Sequence, residues 1–340
     1  MLERTWQLAR RLLYALLVSS LSAAAFIVRP AAAQPLTLRY GQAFSAAHSI
    51  FSLPVSVALR EGLFRREGLD VQIVIPVPGG SDKMIQALAD NWVDVTHVAT
   101  PFLIRAAMAG SDAVAIDSEF DNPLYSLVAK PQIKSYADLA GKLLGLADER
   151  GTITISMRKL LARHGLARGS YGVKTEEGTP QRSYCLLHGD CDAVVLGQPQ
   201  DLQAMAQGYR LLGRSDEAVP RFLYTVTAVR RSWASAHGEA LVRFVRAMAA
   251  SFQFIHDPQN RARVVTVIAE TIGCSHAIAA QTLDLFLQPG RHVLPQRGEI
   301  DVSGLQQVIA MMAEAGLLKP PLPAARRFID LRYLQEAGVP

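Results

Sequence analysis

The sequence has few cysteines and none of the short motifs that identify common enzymes. Its 340 residues contain no HExxH zinc helix, no GxSxG nucleophile elbow, no GxxxxGK[ST] phosphate loop and no CxxC pair. No run of basic residues lies beside aromatic residues, so nothing indicates electrostatic binding of nucleic acid. These absences argue against the common enzyme classes and against nucleic acid as a partner.

The first 33 residues have the layout of a secretory signal. Arg4, Arg10 and Arg11 precede an apolar run over residues 12–27, and the small residues Ala31 and Ala33 follow it. The run is shorter than the ~20 residues of a comfortable membrane span, although an uncleaved anchor is the alternative. We predict cleavage before Gln34 and export of the remaining chain. No cysteine follows the small residues, so the sequence does not support a lipid anchor.

Removal of this signal changes the charge balance. The whole chain has 35 basic and 30 acidic residues, whereas residues 34–340 keep 31 and 29. The mature chain of 307 residues is long enough for two lobes with separate cores. Its cysteines, Cys185, Cys191 and Cys274, allow one pair and one leftover thiol. Cys185 and Cys191 could bridge across a turn, but spacing alone does not separate a disulfide from buried free thiols.

After Gln34 the chain alternates short β-branched runs with helical stretches. This α/β pattern is typical of mostly parallel sheets covered by helices. Residues 118–124 interrupt it with charge, Asn and Pro, which indicates a crossover to a second lobe, and the strand predicted over 222–229 indicates the return. We therefore predict lobe 1 over 34–121, lobe 2 over 122–224, and a return to lobe 1 with C-terminal helices over 225–340.

The two halves share one short pattern. Residues 88–95 and residues 186–193 each contain the predicted end of a helix followed by a turn, at Asn91 or Gly189. An aspartate, Asp94 or Asp192, then precedes or begins an apolar strand. Asn and Gly accept the left-handed backbone conformation that a helix end needs. The pattern favours two similar lobes. It also explains the cluster of His, Asp and Cys at 188–192 as a turn, so we expect no metal site there.

Several sequence segments, taken in their order along the chain, resemble a known family. They are LPVSVALREGLFRREGLDVQIVIPVPGG, ALADNWVDVTHVATPFLIRAAMAGSDAVAI, SYADLAGKLLGLADERGT and DAVVLGQPQDLQAMAQGYRLLG, and the resemblance runs over about residues 36–255. They resemble the periplasmic substrate-binding proteins of nitrate-, sulfonate- and taurine-type ABC importers, a family that also binds thiamine-pyrimidine precursors. The resemblance implies a type II periplasmic-binding-protein fold, with two lobes that each hold a mostly parallel sheet flanked by helices.

The same resemblance implies a function. We expect a periplasmic, monomeric binding protein without catalytic activity or cofactor, which passes a small molecule to an ABC permease in the inner membrane. Two alternatives remain open. One is an enzyme on the same fold, of pyrimidine-forming or lyase type, and the other is a periplasmic subunit that presents its ligand to a sensor.

The candidate site follows from the expected sheets. In open parallel sheets, ligands bind outside the carboxyl ends of strands, where helix N-termini point unpaired N–H groups into the crevice. Turn and helix-cap roles are the alternative for the small residues among the candidates. We predict contacts from Ser45, His48, Ser49, Gly80, Ser81, His97, Thr100, Arg150, Thr152 and Glu177.

The chemistry of these loops does not select one ligand. Hydroxyl side chains and Gly at helix starts suit an oxygen-rich anionic head group. Asp82, Asp148, Glu149 and Glu177 would repel an anion if they faced the cleft. A sulfonate, a carboxylate, a zwitterion and a neutral heterocycle therefore all remain open.

Overall fold

Two five-stranded sheets form the framework of the chain. The computed structural model describes residues 35–47, 49–75, 80–176, 178–219 and 221–339, so the predicted signal lies outside the described residues. In each sheet four strands run in one direction and one strand runs against them. The prediction of an α/β fold with mostly parallel sheets is confirmed.

Sheet 1 has the order β2-β1-β3-β10-β4. Its antiparallel member is β10, which lies between β3 and β4. The chain therefore returns to sheet 1 by inserting a late strand among four early ones. The strands are β1 (Leu36–Gly41), β2 (Leu69–Val74), β3 (Val95–Ala99), β4 (Ala113–Phe120) and β10 (Thr225–Arg230).

Sheet 2 has the order β7-β6-β8-β5-β9. Its antiparallel member, β5, is the first strand after the chain leaves sheet 1. The edge strand β9 was not predicted from the sequence, because its residues are only half-buried and carry an arginine at each end. The strands are β5 (Ser126–Ala129), β6 (Leu143–Leu146), β7 (Gly172–Thr175), β8 (Ala193–Leu196) and β9 (Arg210–Arg214).

Helices cover both sheets, and most of those after β10 pack on the sheet 1 side. Gly238–His256, for example, packs its buried face against the helices Leu53–Arg60 and Leu63–Arg66. The other α-helices are Phe44–Ala47, Ser81–Ala89, Thr100–Met108, Thr152–Arg163, Thr179–Leu187, Gln200–Ala206, Ser215–Ala218, Arg231–Ala236, Arg261–Ile272, His276–Phe286, Val302–Glu314 and Arg332–Glu336. Short 3-10 helices are Ile50–Ser52, Ala137–Leu139, Pro258–Asn260 and Ala325–Phe328.

The pattern shared by the two halves has a structural cause. Asn91 and Gly189 have φ angles of 61° and 85°, as predicted for the turns after two helices. The following aspartates then join their strands to the neighbouring strand: Asp94 accepts a hydrogen bond from the Arg39 amide at 2.8 Å. Asp192 accepts one from the Leu143 amide at 3.1 Å. Each aspartate thus ties the start of a strand to its parallel neighbour, β1 or β6.

A disulfide joins Cys185 to Cys191 and closes the turn before β8. It links the end of the helix Thr179–Leu187 to the start of β8, and both sulfur-bearing side chains are buried. Cys274 is the free cysteine. The disulfide therefore fixes the C-terminal end of this helix against sheet 2.

Replacement of both Cys185 and Cys191 by Ser should lower the free energy of unfolding. A loop this short gains about 2 kcal/mol from its cross-link by the chain-entropy relation. Urea denaturation of the double variant should show a lower midpoint than the wild type, whereas Cys274→Ser should change it little. An unchanged midpoint in the double variant would contradict a stabilising role for the cross-link.

Among the described residues, no single helix is long and apolar enough to cross a membrane. One pair of helices, Pro258–Ile272 and His276–Phe286, passes a test of length and composition together, but the two are bent by 112°.

Candidate ligand-binding cleft

A cavity of about 400 Å³ lies between residues of the two sheets. Its walls come from the segments that follow β1, β2 and β3 of sheet 1 and β6, β7 and β8 of sheet 2. Tyr125, just before β5, and Tyr224, just before β10, add the two segments where the chain crosses between the sheets. The cavity is therefore built from both halves of the chain.

The structure places seven of the ten predicted contact residues relative to the cavity. Ser49, Gly80, Ser81, His97 and Thr152 line the cavity. Thr100 and Arg150 are not among its lining residues: the Thr100 hydroxyl donates to the Tyr224 carbonyl at 3.1 Å, and the exposed Arg150 pairs with Asp148 at 2.9 Å.

Of the three remaining candidates, only Ser45 is among the described residues. Ser45 belongs to the short helix Phe44–Ala47, between the lining residues Ala43 and Ala46, and its side chain is not described. His48 and Glu177 lie outside the described residues. Their contacts remain predictions.

Three of the helices that begin at the cavity follow a glycine. Ser81–Ala89, Thr152–Arg163 and Thr179–Leu187 follow Gly80, Gly151 and Gly178, which all line it and supply no side-chain cap. Unpaired amides in the first turn of a helix carry partial positive charge, which favours an anion nearby. The backbone thus gives the cavity a positive character from both sheets.

Arg182 is the main feature that sequence reasoning missed. Its side chain lines the cavity but is only 1% exposed. The guanidinium donates to the carbonyls of Val195 and Glu176 and, at 3.2 Å, to the Thr179 hydroxyl. Among the described residues no carboxylate lies within ion-pair distance of it, and burial lowers the pKa of Arg182. A buried cation without a carboxylate is unfavourable until an anion neutralises it.

A cluster of aromatic side chains lines part of the cavity. The hydroxyls of Tyr125 and Tyr224 lie 3.0 Å apart, and Phe51 packs against both rings at centroid distances of 5.6 and 5.4 Å. Burial raises the pKa of both tyrosines, so their hydroxyls stay neutral. With Phe102 and Ile153 also lining the cavity, apolar groups cover much of its wall.

Several buried polar atoms at the cavity lack a protein partner among the described residues. They are the hydroxyl oxygens of Thr152 and Thr225 and the amide oxygen of Gln198. The Gln198 side chain is oriented by its amide nitrogen, which donates to Asp201 at 2.8 Å. Buried polar groups are seldom left without a hydrogen bond, so these atoms indicate where a bound molecule or water completes the site.

Two carboxylates also line the cavity, Asp82 and Asp148. Hydrogen bonds from the Arg150 side chain lower the pKa of Asp148, and its charge is offset by that arginine. Asp82 belongs to the first turn of the helix Ser81–Ala89, where the helix dipole favours a negative charge. The repulsion of an anionic ligand that we considered from the sequence is therefore reduced at Asp148.

No group of three His, Cys, Asp or Glu side chains among residues 35–47, 49–75, 80–176, 178–219 and 221–339 could hold a metal ion. At the cluster noted in the sequence, His188 stacks on Tyr184, Cys191 forms the disulfide, and Asp192 pairs with Lys130 at 3.0 Å. These side chains have structural roles in the turn.

The fold and the cleft define a two-lobed protein of the periplasmic-binding-protein architecture. A sequence profile described as NMT1/THI5 like matches residues 51–262, and the chain belongs to that family. The family and fold predicted from the sequence are thus confirmed. A comparison with curated proteins gives no match.

Solved structures share the fold at low sequence identity. The periplasmic aliphatic sulphonate binding protein SsuA from Escherichia coli has a TM-score of 0.68 and 20% identity, covering 89% of this chain and 99% of its own. The periplasmic nitrate-binding protein NrtA from Synechocystis PCC 6803 has a TM-score of 0.73 and 14% identity, covering 90% and 89%. A ligand-binding component of an ABC-type import system from Staphylococcus aureus, solved with zinc bound, has a TM-score of 0.73 and 13% identity, covering 89% and 99%.

Proposed function

We propose that this chain is a periplasmic solute-binding protein that captures a small organic anion between two lobes and delivers it to an ABC importer. The observation that carries the proposal is Arg182, a buried cation at a cavity built from both sheets, with no carboxylate partner among the described residues. The similar solved structures include a ligand-binding component of an ABC-type import system and two periplasmic binding proteins, which supports the transport role.

The anionic part of the ligand is inferred from charge and hydrogen bonding. Arg182 supplies a guanidinium, and a guanidinium has five N–H donors in a planar fork that matches a carboxylate or sulfonate. Carbonyl and hydroxyl groups of Val195, Glu176 and Thr179 accept three of the hydrogen bonds. The helices that follow Gly80, Gly151 and Gly178 begin at the same cavity and add to its positive potential.

The organic part is inferred from the size and walls of the cavity. A volume of about 400 Å³ falls within the range of pockets that enclose small organic ligands. Phe51, Phe102 and the tyrosine pair offer apolar surface that a bare inorganic anion such as nitrate does not use. We therefore favour a carboxylate or sulfonate that carries an apolar or aromatic group.

Delivery requires a change that the importer can recognise. We propose that ligand draws the two lobes together about the crossings near residues 119–124 and 224–229, where the chain passes between the sheets. The protein then acts as an exported monomer, cleaved before Gln34, that binds its ligand reversibly and does not convert it.

A thermal-shift screen of residues 34–340 tests this function. The panel contains benzoate, 1-hexanesulfonate, taurine, nitrate and a pyrimidine precursor, added after unfolding and refolding to remove bound ligand. A ligand at 100 times its dissociation constant adds about 2.7 kcal/mol, which shifts the melting temperature by several degrees. We expect benzoate or 1-hexanesulfonate to shift the melting temperature more than nitrate, and a screen in which nitrate gives the larger shift would contradict the organic ligand class.

A further inference from the structure

Beneath the sheet 1 wall of the cavity lies a buried acidic cluster that anion capture by Arg182 does not explain. Glu119 on β4 is 0% exposed, and its carboxylate has three partners. The Tyr40 hydroxyl donates to Glu119 Oε1 at 2.9 Å, and the Thr227 hydroxyl donates to the same oxygen at 2.8 Å. The third partner is His97, whose Nδ1 lies 2.7 Å from Glu119 Oε2.

Burial disfavours a charge on two ionisable neighbours of Glu119. Asp117 lies two residues earlier on the same strand, and burial, followed by the charge of Glu119, raises the pKa of Asp117 well above its ordinary range. Burial also raises the pKa of Tyr40 well above its ordinary range. Burial thus favours the neutral forms of Asp117 and Tyr40, whereas two hydroxyl groups donate to Glu119 Oε1, an arrangement that suits a carboxylate.

This arrangement fixes the tautomer of His97. Because an ionised carboxylate can only accept, Nδ1 must carry a hydrogen toward Glu119. The other ring nitrogen, Nε2, is then the atom that gains or loses the exchangeable proton. His97 lines the cavity, and no described protein group bonds its Nε2.

We propose that His97, held by Glu119, takes up a proton at Nε2 when an anion enters the cavity and donates that N–H to the ligand. The inference rests on the proposed function, because it assigns a second recognition group to the same site. His97 on β3 then supplies the cavity with a cation that forms only on protonation, in addition to the permanent cation Arg182 on the helix Thr179–Leu187. The buried Glu119 balances the imidazolium, so protonation does not leave an isolated charge in the protein.

The pH dependence follows from the charges that face His97. Asp117 and Tyr40 are neutral, and Glu119 and the bound anion favour the imidazolium. Among the described residues, the other ionisable groups that line the cavity are Asp82, Asp148, Arg182, Tyr125 and Tyr224. Since the protonated ring donates to the anion, affinity should be highest at low pH. It should fall as the pH rises, by up to about tenfold per pH unit where one proton is taken up for each ligand bound.

The first test needs no ligand. Long-range proton–nitrogen NMR of the ligand-free chain at pH 8 should show His97 as the tautomer with hydrogen on Nδ1, assigned by the signal that His97→Gln removes. Glu119→Gln should weaken that preference while retaining a folded protein, as checked by its melting curve. Hydrogen on Nε2 in the ligand-free wild type would overturn the proposal, whether or not a ligand is known.

The second test measures the coupling between ligand binding and proton uptake. Calorimetric titrations with benzoate and 1-hexanesulfonate at pH 8, in buffers of different ionisation enthalpy, should show uptake of up to one proton per ligand bound. His97→Gln should abolish this uptake and flatten the pH dependence. His237→Gln, which changes an exposed ring stacked on Trp233, should leave both as in the wild type. Unchanged proton uptake in His97→Gln would overturn the proposal, whereas absence of binding would count against the proposed function and leave the NMR result to decide.

Discussion

Replacement of Arg182 by Gln should abolish most of the affinity for an organic anion without unfolding the protein. Loss of one partner from a buried, hydrogen-bonded charge pair costs about 2–5 kcal/mol of binding free energy. Calorimetry with benzoate or 1-hexanesulfonate should therefore show a dissociation constant at least about 30-fold higher in the variant. Arg182→Lys keeps the charge but loses the planar fork, so its affinity should lie between those of the wild type and Arg182→Gln.

The unliganded stability of Arg182→Gln separates binding from structure. Burial lowers the pKa of Arg182 because the folded protein disfavours its charge. A neutral amide at this position should leave the melting temperature of the empty protein nearly unchanged or raise it. Arg210→Gln is the control, since this arginine lies on β9 and donates to the Pro131 carbonyl away from the cavity lining. Wild-type affinity in Arg182→Gln would refute the assigned role.

Replacement of Gly304 by Ala should strongly lower the free energy of unfolding, although it adds only one methyl group. Gly304 lies in the first turn of the helix Val302–Glu314, and a Cβ there would lie 2.6 Å from the carbonyl oxygen of Phe222 and 2.7 Å from its carbonyl carbon. Both are backbone atoms of the return crossing, so they cannot move aside as a flexible side chain can. We expect a loss of about 2–3 kcal/mol in urea denaturation.

The matched control is Gly238→Ala. Gly238 begins the helix Gly238–His256, and among the described residues the nearest contact of a Cβ there would be the Tyr333 ring, at 3.9 Å. This change should leave stability unchanged or raise it by up to about 1 kcal/mol, because Ala loses less backbone entropy on folding than Gly. Equal stability of the two variants would contradict the close packing of the helix Val302–Glu314 against the crossing.

Local sequence patterns predicted most of the fold for physical reasons. Strands such as β8 (Ala193–Leu196) are fully buried apolar runs, and the left-handed turns at Asn91 and Gly189 require the residues found there. The strand β9 was missed because an edge strand is half-exposed and mixes charged with apolar residues. Its pairing with β5 supplies the regularity that its own sequence lacks.

The cavity was harder to predict than the fold. The predicted strand ends and the glycines after them indicated which loops form the cavity, and five of the ten candidate residues line it. Arg182 was missed because an arginine in the polar helix Thr179–Leu187 is ordinarily solvent-exposed, and only packing against β8 buries it. Tyr125 and Tyr224 are 99 residues apart, so nothing in the local sequence indicates that their hydroxyls meet.

Calorimetric titration of ligand-free residues 34–340 with benzoate and 1-hexanesulfonate, followed by chemical analysis of the recovered ligand, tests the binding role most directly. We expect saturable binding of one molecule per chain, with the ligand recovered unchanged. Conversion of the ligand to a product would contradict the binding role, and absence of binding with both compounds would contradict recognition of an organic anion in this cavity.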